Sequence, residues 1–138
     1  MTTTAADLVT VARAGIDEVS VDQLAAELDR GDTVLVDLRE PEELAETGRI
    51  PGSVHIPRGM LEFRADPTSP YHNDVLHPSR RVVLHCASGA RSALGARALQ
   101  ELGYERVAHL DGGIKAWIEA GRPVEDRERS NTAGGGAS

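Results

Sequence analysis

A second cysteine is missing from these 138 residues, and so are any long apolar run and any excess of positive charge. With Cys86 alone, an internal disulfide is impossible, and so is a zinc site built on several thiolates. No run approaches the ~20 apolar residues a transmembrane helix requires, so no membrane partner is expected. Lys and Arg number 15 against 22 Asp and Glu, a formal net charge of −7. A field of that sign repels phosphate backbones and argues against nucleic acid as a partner. The stretch from Met1 to Asp7 lacks the basic region and apolar core of a secretory signal, which predicts a cytoplasmic protein with a reduced thiol. His55, His72, His77, His85 and His109 show no close repeated spacing with a carboxylate between them, so neither a metal nor another cofactor is expected.

What is present is the composition of an ordinary globular protein, 40% apolar and 27% charged, long enough for one core of two or three layers. Thr4 to Gly15 reads as a short helix with Leu8, Val11 and Ala12 on one face. Ser20 and Gln23 have capping-box spacing, and Val21, Leu24, Ala25 and Leu28 recur at helical intervals up to a left-handed cap at Gly31. Thr33 to Asp37 is a β-branched apolar run suited to a strand buried on both faces, and Pro41 opens a helix that Gly48 closes. Val54 to Ile56 reads as a short strand, Arg58 to Ala65 as helical, and Asp66 to Ser79, with three prolines, as a loop. The rhythm then repeats: strand at Arg81 to His85, helix at Ser92 to Leu102, strand at Val107 to Leu110, helix at Ile114 to Ala120. Strands alternating with helices predict an α/β fold, a mainly parallel central sheet of about five strands flanked by helices in three layers. The expected organisation is an N-terminal helix and lead-in over 1–18, one domain over 19–126, and a flexible tail over 127–138.

In open parallel sheets, chemistry collects where a strand gives way to a helix, and Cys86 stands at such a point. Ala87, Ser88, Gly89 and Ala90 carry so little bulk that successive backbone N–H groups are free to curl around a common centre, and Arg91 follows at the rim. Such amides, with the positive end of the next helix, favour thiolate over thiol and make the sulfur nucleophilic. The bland alternative is a small core hydrophobe at the end of a buried strand. That role needs neither a glycine-containing loop nor an arginine.

Cys86-Ala-Ser-Gly-Ala-Arg91 resembles the six-residue active-site loop of single-domain rhodaneses, the thiosulfate sulfurtransferases. Val34-Leu-Val-Asp-Leu-Arg-Glu40, Gly48-Arg-Ile-Pro-Gly-Ser-Val-His-Ile-Pro57 and Leu110-Asp-Gly-Gly-Ile-Lys-Ala-Trp117 resemble three further blocks of that family, in family order. The resemblance spans about Val19 to Val124. It implies the rhodanese fold and a covalent cycle. The cysteine takes a sulfane sulfur from a small anionic donor such as thiosulfate, becomes a persulfide, and passes the sulfur to a small-molecule or protein thiol. Carried onto this chain, Cys86 is the sulfur carrier and the backbone of Ala87, Ser88, Gly89, Ala90 and Arg91 is the pocket. Without a second cysteine to resolve the persulfide, the acceptor is external.

Two other readings use the same residues. Cysteine phosphatases and arsenate reductases resemble Cys-x5-Arg, whereas Arg91 lies five residues after Cys86, so this loop is one residue short for a tetrahedral oxyanion. A rhodanese-like module kept only for binding or regulation shares the fold, though here the nucleophile is present. Around the loop, Asp37 and Arg39 are expected as a structural ion pair near the site and His55 as a neighbour from the next strand end. Arg58 and Arg64 are candidates for drawing in the anionic donor, with solvated surface cations as the simpler account of both. His85 is expected behind the sheet, Trp117 in the core, and Gly112-Gly113 in a tight turn before the last helix.

Overall fold

The computed structural model describes residues 2–126. In chain order the elements are helix α1 (Ala5–Ala14), strand β1 (Asp17–Val19), α2 (Val21–Arg30), β2 (Thr33–Asp37), α3 (Pro41–Thr47), β3 (Val54–His55), a single 3₁₀ turn (Arg58–Met60), α4 (Leu61–Ala65), β4 (Arg81–His85), α5 (Ala90–Glu101), β5 (Val107–Leu110) and α6 (Gly113–Glu119). The five strands form one sheet in the order β1-β5-β4-β2-β3, every pairing parallel. This is the expected α/β architecture.

Side chains alternate across the strands and so divide the core in two. Val36, Val82, Leu84 and Val107 pack with Leu61, Ala65, Ala96 and Leu99, which places α4 and α5 on one face. Leu35, Val83, Ala108 and Leu110 pack with Leu24, Ala25, Ile114 and Trp117, which places α2 and α6 on the other. α1 lies against α5, and Gln100 Nε2 donates to the carbonyl of Gly15 at 3.0 Å.

Local chemistry sets most boundaries. Both predicted N-caps are realised as reciprocal boxes, Thr4 with Asp7 and Ser20 with Gln23. Three details differ from the sequence expectation. Strand β1 has no periodic signal, since two of its three residues are carboxylates; its place is set by pairing with β5 in the register Glu18 to His109. The segment Arg58 to Ala65 is a 3₁₀ turn followed by one short helix rather than one continuous helix. Helix α5 begins at Ala90, two residues before the expected start, so the loop after Cys86 is correspondingly tighter. The tail expected over 127–138 lies outside the described residues.

Candidate active site

The position of Cys86 follows from the parity of β4. Val82 and Leu84 face α5 while Val83 faces α2 and α6, so the next even residue emerges beneath the first turn of α5. The side chain is buried, yet its surroundings are not hydrocarbon. Sγ accepts from the backbone N–H of Gly89 at 3.2 Å and of Ser92 at 3.4 Å, and lies 3.6 Å from Ser92 Oγ. A core hydrophobe has no need of two main-chain donors aimed at its sulfur. Those donors stabilise negative charge on Sγ without rearranging when it forms.

Two glycines hold this geometry for different reasons. Gly89 sits at φ +121°, a conformation that side chains resist, although a Cβ there meets nothing closer than 3.7 Å. Gly113 is required by space: a Cβ would lie 2.5 Å from the carbonyl oxygen of Ala87 and 2.7 Å from that of Cys86. That close approach lets Ile114 N–H donate to the Cys86 carbonyl at 2.9 Å and Lys115 N–H to the Ala87 carbonyl at 3.1 Å. The Gly-Gly turn therefore docks the start of α6 onto the site loop.

Around this centre several charged residues are engaged. Both terminal nitrogens of Arg91 bind Glu43 of α3, at 2.7 and 2.9 Å, so its guanidinium ties the loop to α3. The Arg91 hydrogen bond holds the Glu43 carboxyl down at about 2, against the cost of partial burial. Arg39 Nε lies 3.1 Å from Asp37 Oδ1 and its NH2 2.9 Å from Oδ2, with both residues fully buried. Arg39 also donates to Thr47 Oγ1 and the Gly48 carbonyl, each at 2.8 Å, which fixes the end of α3 to the end of β2. His55 Nε2–H donates to the Arg39 carbonyl at 2.6 Å. His85 lies on the α2 and α6 side, its Nε2 3.5 Å from Asp37 Oδ2. Arg58 binds Glu62 at 2.8 Å, and Arg64 reaches the Tyr71 carbonyl at 3.3 Å.

Three residues around the loop are not singled out by the sequence. Ser92 falls one position past the motif and reads as an ordinary helix residue, yet supplies one of the two amides. His109 is 2.8 Å from Ser92 Oγ, although in the sequence it is one scattered histidine among five. Lys115 lines an open surface pocket with Arg39, Glu43, Thr47, Ala87 and Ile114, at the flank of the loop. For Lys115 a signal was available, because it follows the Gly-Gly pair in Leu110-Asp-Gly-Gly-Ile-Lys-Ala-Trp117.

Comparison with known proteins agrees with this geometry. The family profile described as "Rhodanese-like domain" matches residues 20–120. A sulfurtransferase of Allochromatium vinosum is 36% identical over 110 residues, covering 79% of this chain and 94% of that protein. A putative sulfur carrier protein of Bacillus subtilis is 32% identical over 103 residues, covering 74% of this chain and 51% of that protein. Among solved structures, a Rhodopseudomonas palustris protein described as of unknown function and a possible tyrosine phosphatase superposes with TM-score 0.85. It shares 38% identity and covers 91% of this chain and 96% of its own. The polysulfide-sulfur transferase homodimer of Wolinella succinogenes superposes with TM-score 0.71 at 31% identity, covering 86% of this chain and 85% of its own.

Proposed function

This chain belongs to the rhodanese-like domain family, and from that premise we propose that it is a sulfurtransferase working through a persulfide on Cys86. The observation that carries the reading is the pair of backbone N–H groups, from Gly89 and Ser92, donating to one sulfur. The thiolate of Cys86 attacks the outer sulfur of thiosulfate or a similar anionic donor. The donor's sulfur–sulfur bond breaks, sulfite leaves with the electron pair, and the new terminal sulfur carries the negative charge. A second nucleophile, either a small thiol or a protein thiolate, or cyanide in an assay, then takes that sulfur and restores the thiolate. Both states of the enzyme are anions on sulfur, which is the charge that the amides of Gly89 and Ser92 stabilise. Lys115, at the flank of the loop, is the cation we assign to drawing in the anionic donor on an otherwise acidic chain.

The phosphatase description attached to one structural relative makes phosphoryl transfer the second reading. The loop argues against it: Arg91 is bound to Glu43 through both nitrogens instead of facing the sulfur. One experiment separates the readings. Purified protein incubated with thiosulfate is expected to gain the mass of one sulfur atom and to release thiocyanate with cyanide, and Cys86→Ala is expected to do neither. Hydrolysis of an aryl phosphate without sulfur uptake would establish the phosphatase instead. Neither activity in a folded protein would leave a binding module.

A further inference from the structure

A line of polar side chains leads from the sulfur to the protein surface. Ser92 Oγ lies 3.6 Å from Cys86 Sγ and 2.8 Å from His109 Nδ1, and His109 Nε2 lies 2.7 Å from Glu18 Oε2. Sheet register accounts for the alignment. His109 pairs with Glu18 across β1 and β5 and with Leu84 across β4 and β5, so both acidic partner and sulfur sit on the α5 face. The imidazole is 1% exposed, with the backbone of Gly89 passing over its Cε1 edge, while the Glu18 side chain is 31% exposed. Glu18 is itself held by Arg13 Nε at 3.0 Å, and Arg13 also binds Asp111 at 3.1 Å. These are the charged and titratable groups that face the imidazole. Glu18 comes from β1 and Cys86 is reached through Ser92 of α5; one step further out are Arg13 of α1 and Asp111 after β5.

Donor and acceptor chemistry then leaves two states. A carboxylate only accepts, so His109 Nε2–H donates to Glu18. If Nδ1 carries a lone pair, it accepts from the Ser92 hydroxyl, whose oxygen in turn accepts from the Cys86 thiol. If Nδ1 carries a second proton, it donates to Ser92 Oγ, and the hydroxyl hydrogen turns to the Gly89 carbonyl at 3.2 Å. Every group is satisfied in both states without movement of a heavy atom.

We propose that Ser92, His109 and Glu18 form a proton relay that removes the thiol proton of Cys86 and holds it as imidazolium beneath the active-site loop. This rests on the sulfur-transfer reading for its purpose. The S–H bond breaks with its electron pair left on sulfur, Ser92 Oγ takes the proton, and its own hydrogen passes to Nδ1. No electron is transferred and no net charge is created. Because thiolate and persulfide are both anions, the imidazolium remains as their countercharge throughout the cycle, with Glu18 stabilising it. Burial pushes the Glu18 carboxyl up, but the hydrogen bonds from His109 and Arg13 outweigh this and hold it below its ordinary value. Ser92 touches the reacting atom; His109 and Glu18 act through it as positioning residues.

The test uses the full chain and two measurements that require no sulfur donor. The first is the rate of Cys86 alkylation by iodoacetamide against pH. At pH 7, His109→Gln and Ser92→Ala are expected to react about tenfold more slowly than the parent and Glu18→Gln about threefold more slowly. All are expected to converge to within about twofold above pH 9, where hydroxide supplies the base. A slowing by the same factor at every pH, or superimposable profiles, overturns the relay. The second, which spares the relay residues, is nitrogen NMR of His109 at pH 7: both ring nitrogens protonated in the parent, one in Cys86→Ala. The same protonation in both proteins overturns it. Should the pH signature hold while thiosulfate delivers no sulfur, the relay stands and the sulfur-transfer reading falls.

Discussion

His85 and His109 are buried alike, 0% and 1% exposed, on neighbouring strands, and each lies beside a carboxylate. Their surroundings differ in what lies at the ends. His85 faces Asp37 and Arg39, all sealed, and its Nδ1–H donates to the Cys86 carbonyl at 3.3 Å, which leaves Nε2 without a hydrogen bond. Burial pushes its pKa down more than Asp37 pulls it back, which disfavours charge on the ring. His109 has a partner on each nitrogen, a rotatable hydroxyl towards the sulfur and a partly exposed carboxylate towards solvent. Equal burial therefore yields a closed brace on one face of the sheet and a path for a proton on the other. What decides is the chemistry at the two ends of each network.

Removing Arg39 is expected to break the brace with the largest effect. Arg39→Leu leaves the Asp37 carboxylate buried without its cation and strips hydrogen bonds from Thr47 and the Gly48 carbonyl. Uncompensated buried charge of this kind costs about 4 kcal/mol, readable as a lower urea midpoint. A loss below about 1 kcal/mol would mean that the network is not held by charge, and the contrast with His109 would dissolve.

Replacing each histidine's carboxylate by its amide sharpens the comparison. Asp37→Asn should cost about 3 kcal/mol, because the Arg39 guanidinium is left buried against a neutral group. Glu18→Gln should cost under about 1 kcal/mol, as expected for a partly solvated pair, while still shifting the pH profile of Cys86. The acid limb provides a second check. Burial alone would raise the Asp37 carboxyl, but the Arg39 hydrogen bonds and His85 hold it below the ordinary 3.8. A depressed carboxyl stabilises the fold above that value and loses the contribution as pH falls. The gap between parent and Asp37→Asn should accordingly narrow in acid; a constant gap from pH 7 to pH 2.5 would contradict an ionised Asp37.

The sequence is legible where one element decides the outcome and opaque where two must meet. Thr4 and Ser20 announce their helices because capping is local, and the loop from Cys86 to Arg91 is readable because small residues at a strand end restrict what the backbone does there. Glu18 is the opposite case. It has no strand signal of its own, and its meeting with His109 depends on the β1 and β5 register, across 91 residues of chain. Arg91 shows the same limit, since its position at the end of the loop is local, while its capture by Glu43 depends on where α3 docks, 48 residues away. Gly113 lies between these cases: a turn is readable from Gly-Gly, but the carbonyls that exclude a side chain come from another strand end.

The Glu43 to Arg91 pair gives the smallest expected effect and tests whether the brace extends to the loop. Glu43 holds its proton only near 2, compared with an ordinary 4.5, because Arg91 hydrogen-bonds to the charged form. The stabilisation is therefore complete above about pH 4.5 and lost as pH falls towards 2. At pH 7, Glu43→Gln should lower stability by only a few tenths of a kcal/mol, since both side chains are about a third exposed and the pair is screened. The same few tenths should disappear in acid: the variant should lose correspondingly less stability than the parent between pH 4.5 and pH 2.5, in urea titrations repeated across that range. Cys86 alkylation at pH 7 should change by no more than about twofold, because Gly89 and Ser92, not Arg91, supply the donors to sulfur. A large fall in alkylation with unchanged stability would instead assign the Arg91 bridge to the proton-carrying side of the molecule, and the division between brace and relay would have to be redrawn at that residue.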